Sequence, residues 1–141
     1  MDNLTEELRK EIKSLENKYK GELEYSTLGE SRERDNRGMK SCSTDWDFKF
    51  KGLGVKYSFY IYEYVNRGCF EIYFYNDMPN YGRTTPHHID CADMKESVDF
   101  IREYVESASN SAKHMRDFSR GMEKRSDMSY QASIEILEGK R

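Results

Sequence analysis

Residues 46–75 read WDFKFKGLGVKYSFYIYEYVNRGCFEIYFY, and this stretch decides the fold. In three runs, residues expected on one face of a strand alternate with residues expected on the other face, which is the pattern of half-buried β-strands. The three predicted strands are residues 46–50, 55–65 and 69–75. Glycine-containing turns at 52–54 and 66–68 join them into two hairpins. Together with a shorter alternating run at 22–28, they predict a four-stranded antiparallel β-meander.

The alternation also divides the strands into two faces once a register is chosen. A two-residue turn at 67–68 pairs Val65 with Phe70 and Ile61 with Phe74, which keeps the faces separate, whereas a three-residue turn mixes them. We therefore expect the two-residue turn. The apolar face then comprises Trp46, Phe48, Phe50, Val55, Tyr57, Phe59, Ile61, Val65, Phe70, Ile72 and Phe74. The other face comprises Tyr60, Tyr62, Tyr64, Glu71, Tyr73 and Tyr75.

One charged residue interrupts the apolar face. Glu63 lies between Ile61 and Val65, where an unpaired charge would be costly to bury. We expect its carboxylate either to reach the rim of the sheet or to meet a cation such as Arg83.

The N-terminal segment predicts an amphipathic helix of about five turns. Its apolar residues are Leu4, Leu8, Ile12, Leu15 and Tyr19. Asn3 is placed to cap the start of this helix, and Gly21 is placed to end it.

A second and longer helix is predicted at 92–122 by a nearly unbroken heptad seam. The seam comprises Met94, Val98, Ile101, Val105, Ala108, Ala112, Met115, Phe118 and Met122. Such a helix is longer than the predicted strands, so it should overhang the sheet, break near the serine-rich residues 107–112, or be covered by a partner. A short last helix, capped by Asp127, should follow Gly121. Its apolar residues are Tyr130, Ile134 and Leu137.

Two segments show neither helical nor strand periodicity. Residues 30–44 (ESRERDNRGMKSCST) are polar and mix both charges, which predicts a mobile loop. Residues 76–91 (NDMPNYGRTTPHHIDC) contain both prolines and predict a long connection of the kind that often carries function.

The composition predicts one domain, residues 1–141, in the cytoplasm. Aromatic residues make up 13% of the chain, too many for a disordered protein, and the formal charge of −3 argues against a protein that coats nucleic acid or anionic membrane. The three cysteines are an odd number at wide spacing, so we expect reduced thiols. The sequence has neither an apolar signal region at its start nor an apolar run long enough to span a membrane.

Residues 84–91 (TTPHHIDC) bring His87, His88, Asp90 and Cys91 close together in sequence. These residue types serve as metal ligands and as acid–base groups. Adjacent histidines in an extended segment point in opposite directions, however, and the sequence shows neither a second ligand pair of familiar spacing nor a recognisable nucleophile. We therefore predict no metal, no cofactor and no catalytic activity, and a small enzyme that uses this loop is an alternative.

The candidate binding residues fall into two groups. Five tyrosines share one sheet face and offer broad rings with a hydroxyl group, and Arg83 could join them. A basic stripe on the long helix could dock an acidic protein or a nucleic-acid backbone. The predicted binding residues are Tyr60, Tyr62, Tyr64, Tyr73, Tyr75, Arg83, Lys113, Arg116, Arg120 and Lys124.

The aromatic strands are similar to those of the RNA-recognition motif, but the βαββαβ order and the basic-Gly-aromatic signature of that family are missing. In size, acidity, aromatic content and want of a catalytic motif, the whole chain resembles the small inhibitors that bacteriophages encode against host defence nucleases, including anti-CRISPR proteins. The resemblance implies a non-enzymatic protein that blocks a host protein or ribonucleoprotein complex by protein–protein contact in the host cytoplasm.

Other functions stay open at this point. The tyrosines and Arg83 could form a nucleotide-binding module or a sponge for a signalling nucleotide, and direct nucleic-acid binding is a less favoured possibility. The seam at 94–122 could also join two copies of the chain as a homodimer.

Overall fold

The computed structural model describes residues 4–78 and 81–137, with side chains described as far as residue 122. Helix α1 (Thr5–Lys18) precedes the strands in the sequence, and helix α2 (Met94–Leu137) follows them. The strands are β1 (Leu23–Leu28), β2 (Arg32–Asn36), β3 (Met39–Phe50), β4 (Lys56–Tyr64), β5 (Cys69–Met78), β6 (Gly82–Arg83) and β7 (His87–Cys91). The predicted α+β architecture, in which one helix precedes and one helix follows the strands of an antiparallel sheet in the sequence, is confirmed.

Within the described residues the sheet has seven strands, so the prediction of four was wrong. β3, β4 and β5 form the centre, and two short strands occupy each edge. β1 and β2 both pair with β3, while β6 and β7 both pair with β5. The sheet is therefore five positions wide.

The missed strands lie in the two segments that lacked periodicity. Residues 30–44, predicted as a mobile loop, form β2 and the first half of β3, and the connection predicted at 76–91 contains the end of β5 together with β6 and β7. β2 is exposed along its whole length, so no apolar alternation marks it in the sequence. Its turn to β3 contains Arg37 (φ 56°) and Gly38 (φ 84°), the left-handed pair that a tight hairpin requires.

The register of the β4–β5 hairpin differs from the predicted one by two residues. Ile61 pairs with Ile72 instead of Phe74, because four residues rather than two separate the last pair, Tyr64 and Cys69. Side chains alternate along a strand with a period of two, so a shift of two leaves each side chain on its predicted face.

Both helices pack on the apolar face of the sheet. The sheet contributes Trp46, Phe48, Phe50, Tyr57, Phe59, Ile61, Phe70 and Ile72 to the buried cluster. The helices contribute Leu8, Ile12, Leu15, Val98, Ile101, Val105, Ala108 and Ala112. Aromatic rings join the layers at steep angles, as between Phe59 and Tyr104, whose centroids lie 5.1 Å apart. Edge-to-face pairs of this kind stabilise an aromatic core beyond the burial of their area.

Helix α2 is continuous and extends past the end of the sheet. Its seam is buried from Val98 to Ala112, but Met115, Phe118 and Met122 are 42%, 57% and 51% exposed. Of the three outcomes predicted for this helix, the overhang is the one observed. The separate last helix was a wrong prediction, since α2 runs through Gly121 to Leu137. A glycine inside a helix costs only about 1 kcal/mol.

The buried carboxylate of Glu63 caps the N-terminus of α1. It accepts hydrogen bonds from the backbone N–H groups of Leu4 and Thr5, both at 2.8 Å, and from the Thr5 hydroxyl at 2.7 Å. Glu63 is only 1% exposed, so both predictions for it, the rim and the contact with Arg83, were wrong. The N-terminus of a helix carries partial positive charge and unpaired donors, which compensate a buried anion. Asn3, the predicted cap, lies outside the described residues.

We predict that Glu63→Ala lowers the free energy of unfolding by about 3 kcal/mol, because two buried donors and one partly buried donor lose a charged acceptor. Glu63→Gln keeps an acceptor oxygen and should cost less. Urea denaturation measures both values. As a control, Glu24→Ala removes an exposed ion pair with Lys49 and should cost under about 1 kcal/mol. Equal losses in the Glu63→Ala and Glu24→Ala variants would contradict the capping role.

Tyr57 shows how strongly the core excludes charge. Its ring packs against Phe48 and Tyr104, with centroids 5.2 and 5.7 Å away. Burial, with a smaller contribution from Tyr104, raises the pKa of Tyr57 from 10.0 to about 12. The unfolded chain therefore releases this proton at lower pH than the folded protein does. Stability from this group is complete below pH 10 and is lost as the pH rises toward 12.

We predict that Tyr57→Phe flattens the loss of stability between pH 10 and 12, measured as the free energy of unfolding in urea at several pH values. The ultraviolet titration of the folded variant should also lack one tyrosine that ionises near the upper end of this range. An unchanged slope in the variant would show that other groups control the alkaline transition.

Candidate functional site

The tyrosine face, defined by Tyr60, Tyr62, Tyr64, Tyr73 and Tyr75, is the outer surface of the sheet. Both helices pack on the opposite surface, and among the described residues neither helix covers these rings. Tyr60 and Tyr62 are 41% and 37% exposed, while Tyr64 and Tyr73 are half-buried and Tyr75 is buried. The sequence prediction that the five tyrosines share a face is confirmed.

Contacts between the rings hold this face in a defined shape. Tyr60 stacks on Tyr75 with centroids 6.0 Å apart, and Tyr62 meets Tyr73 edge to face at 5.7 Å. Cross-strand pairing places Tyr60 directly opposite Tyr73. A partner would therefore meet rings whose rotamers are already fixed, which reduces the entropy lost on binding.

Three hydroxyl groups of the face, those of Tyr60, Tyr64 and Tyr73, have a raised pKa and are protonated at neutral pH. A hydrogen bond with Tyr75 raises the pKa of Tyr60. Burial, and then a hydrogen bond with Glu71, raises the pKa of Tyr64. The negative charge of Glu71 is the main cause that raises the pKa of Tyr73. These three side chains thus offer neutral rings with hydroxyl donors.

Arg83 joins the tyrosine face, as the sequence suggested. Its guanidinium lies 4.2 Å from the centre of the Tyr75 ring, in a cation–π contact. β6 brings it there, because Arg83 pairs with Asp77 at the end of β5. The contact covers one surface of the Tyr75 ring.

Two arginines of the site were missed by the sequence prediction. Arg32 and Arg34 lie in β2, opposite Ser43 and Ser41 of β3, and so share the face of the tyrosines. They help to line a small cavity of about 140 Å³ beside the two exposed rings. The cavity is lined by Glu30, Arg32, Arg34, Ser43, Thr44, Asp45, Tyr60 and Tyr62. The period-two spacing of the two arginines was the available signal for a strand in this segment.

Charges on this side of the sheet show no positive surplus. Strand pairing places five cations on the same face as the tyrosines: Arg32, Arg34, Lys49, Lys56 and Arg83. The anions are Asp45, Asp47, Glu71, Asp77 and Asp90. Glu30, which lines the cavity, and Glu24, which pairs with Lys49, add two anions. The face therefore has no surplus of positive charge that would attract a polyanion.

The predicted basic stripe lies on α2 and is not brought together with the tyrosine face, because α2 packs on the other side of the sheet. Lys113 pairs with Glu22 at 3.4 Å. Arg116 donates to the Lys51 carbonyl at 2.7 Å. Arg120 is exposed, and the Lys124 side chain lies outside the described part of the chain. Lys113 and Arg116 are therefore already paired with residues next to β1 and β3.

The two adjacent histidines lie on opposite faces, as predicted. His88 stacks on Tyr73 with centroids 4.7 Å apart, whereas His87 stacks on Phe74 at 5.5 Å. His88 and Asp90 therefore share the tyrosine face, and His87 does not.

Comparison with known proteins gives no match: no family model, no curated protein and no solved structure is significantly similar to this chain. Among the described residues, no helix is both long and apolar enough to cross a lipid bilayer.

Proposed function

We propose that this protein is a non-enzymatic binding protein whose tyrosine face contacts another protein. The observation that supports this proposal is a sheet face that neither helix covers among the described residues, on which two exposed tyrosines are held by ring contacts with two others. Tyrosines are enriched among the residues that dominate binding energy at interfaces, and preorganised rings lose little entropy on binding.

A protein partner is favoured over nucleic acid because the charges around the tyrosines show no positive surplus. A nucleic-acid backbone is held mainly by a surplus of lysine and arginine. Here Asp45 and Asp47 lie in the same face as Arg32 and Arg34, so a phosphate backbone would meet as many anions as cations. A protein surface of mixed charge suits such a face better.

Within this class, we propose an inhibitor of a bacterial defence nuclease complex that acts in the cytoplasm of the host cell. The size, the acidity and the aromatic content are the features shared with phage-encoded inhibitors, the anti-CRISPR type included. Blocking a nuclease by contact requires a rigid surface but no catalytic group of its own, and the tyrosine face fits that requirement.

A nucleotide-binding module is the second candidate, and the observation in its favour is Arg83 beside the tyrosines. Two features make it the weaker one. The cavity between Tyr60 and Arg32 measures about 140 Å³, while sites for small ligands usually exceed roughly 300 Å³. In addition, the Arg83 guanidinium already lies on the Tyr75 ring, where a base would otherwise stack.

We predict that Tyr62→Ala weakens binding to the partner by roughly 30-fold, equivalent to about 2 kcal/mol for an interface hot spot. The partner is sought by expressing the protein in bacteria that carry defined defence nucleases and scoring recovery of phage plaques. Affinity for the purified nuclease complex is then measured for each variant.

Tyr81→Ala is the matched control, since Tyr81 is 88% exposed and lies outside the strands. It should keep both plaque recovery and affinity. Equal losses in the Tyr62 and Tyr81 variants would contradict the role of the tyrosine face. A rise in melting temperature with added nucleotides, combined with no effect on any nuclease, would favour the nucleotide-binding module instead.

We also propose that the overhanging end of α2 joins two copies of the chain. Met115, Phe118 and Met122 continue the heptad seam beyond the sheet and are exposed, a row that coiled-coil pairing would bury. The buried part of the seam, from Val98 to Ala112, is already used within the chain. The proposed dimer contact is therefore restricted to the overhang.

We predict that light scattering gives the mass of two chains for the wild type and of one chain for Phe118→Glu, because the introduced charge opposes burial of the seam. Tyr62→Ala should remain dimeric, since it alters the other surface. A monomeric wild type across the tested concentrations would contradict this contact.

A further inference from the structure

Three side chains with metal-ligating atoms converge at the β7 edge of the tyrosine face. Glu71 of β5 lies opposite Asp90 of β7, and His88 lies two residues before Asp90 on the same side of the strand. Nε2 of His88 is 2.9 Å from Oδ1 of Asp90 and 3.9 Å from Oε1 of Glu71. One ligand atom from each residue lies within 4.8 Å of the other two.

We propose that Glu71, His88 and Asp90 bind one divalent first-row transition-metal ion of the zinc class. Imidazole nitrogen and carboxylate oxygen both bind such ions, whereas calcium and magnesium sites use oxygen ligands. Zinc bonds of 2.0–2.2 Å place tetrahedral ligand atoms about 3.4 Å apart. The observed separations bracket this value, so small side-chain rotations would close the site around an ion.

The tyrosine beside the site orients two of the three ligands. The Tyr73 ring stacks on the His88 imidazole with an angle of 20° between the planes. The Tyr73 hydroxyl also donates to Oε2 of Glu71 at 3.3 Å, while Oε1 is the oxygen nearer to His88. Support of this kind, which fixes ligand orientation from behind, is typical of metal sites.

The site is open to solvent, so an ion can enter it. The side chains of His88 and Asp90 are 41% and 74% exposed, and Glu71 is the least exposed at 26%. Three protein ligands leave at least one coordination position to water or to a group from outside the chain.

Calorimetric titration of the full chain with zinc chloride, after removal of metal with a chelator, tests the proposal. We expect one ion per chain. His88→Ala should weaken zinc binding by more than about tenfold. His87→Ala is the matched control and should bind as the wild type does, because His87 lies on the opposite face.

Two further variants keep the result interpretable. Glu71→Gln should also lose affinity by more than about tenfold, and circular dichroism shows whether each variant is folded. Cys69→Ser removes a thiol that lies two residues before Glu71 and should have no effect. Wild-type affinity in His88→Ala, loss of binding in Cys69→Ser, or equal losses in both histidine variants would each overturn the proposal. None of these outcomes depends on the tyrosine face having a protein partner.

Discussion

The fold depends on how the protein accommodates one buried charge. Glu63 lies in the middle strand of the sheet, on the apolar face, and an ionised carboxylate there needs partners. Leu4, which precedes α1, and Thr5, its first residue, supply three donors, so the N-terminus of this helix is held against β4. The contact joins residues that are 59 positions apart in sequence. It fixes where α1 begins and directs its apolar side chains, such as Leu8 and Ile12, into the core.

This constraint also determines which surface remains available for function. With α1 and α2 both on the apolar face, their hydrophobic side chains are satisfied there, and among the described residues neither helix reaches the tyrosines. On the outer face Tyr60 and Tyr62 remain exposed but ordered, because they rest on the less exposed Tyr75 and Tyr73. One face of the sheet therefore stabilises the fold by packing against the helices, and the other face offers a rigid contact surface.

Periodicity predicted the parts of the fold that bury apolar side chains. The central strands, the face of each aromatic residue and the long helix all follow from alternation or from the heptad seam. The faces survived a register error of two residues because side-chain direction repeats every two residues. Strands without an apolar face were missed: β2 pairs through its backbone and exposes its side chains, and this kind of pairing leaves no hydrophobic pattern to read.

By itself, the sequence determined the α+β class, the aromatic core and the grouping of the five tyrosines, because each of these depends on local periodicity. Only the tertiary structure decided the partner of Glu63, the addition of Arg32 and Arg34 to the tyrosine face, and the meeting of Glu71 with His88 and Asp90. These contacts join residues from different strands or from a strand and a helix. They depend on the register between strands and on how the helix packs against the sheet, and neither can be predicted from a local pattern of residues.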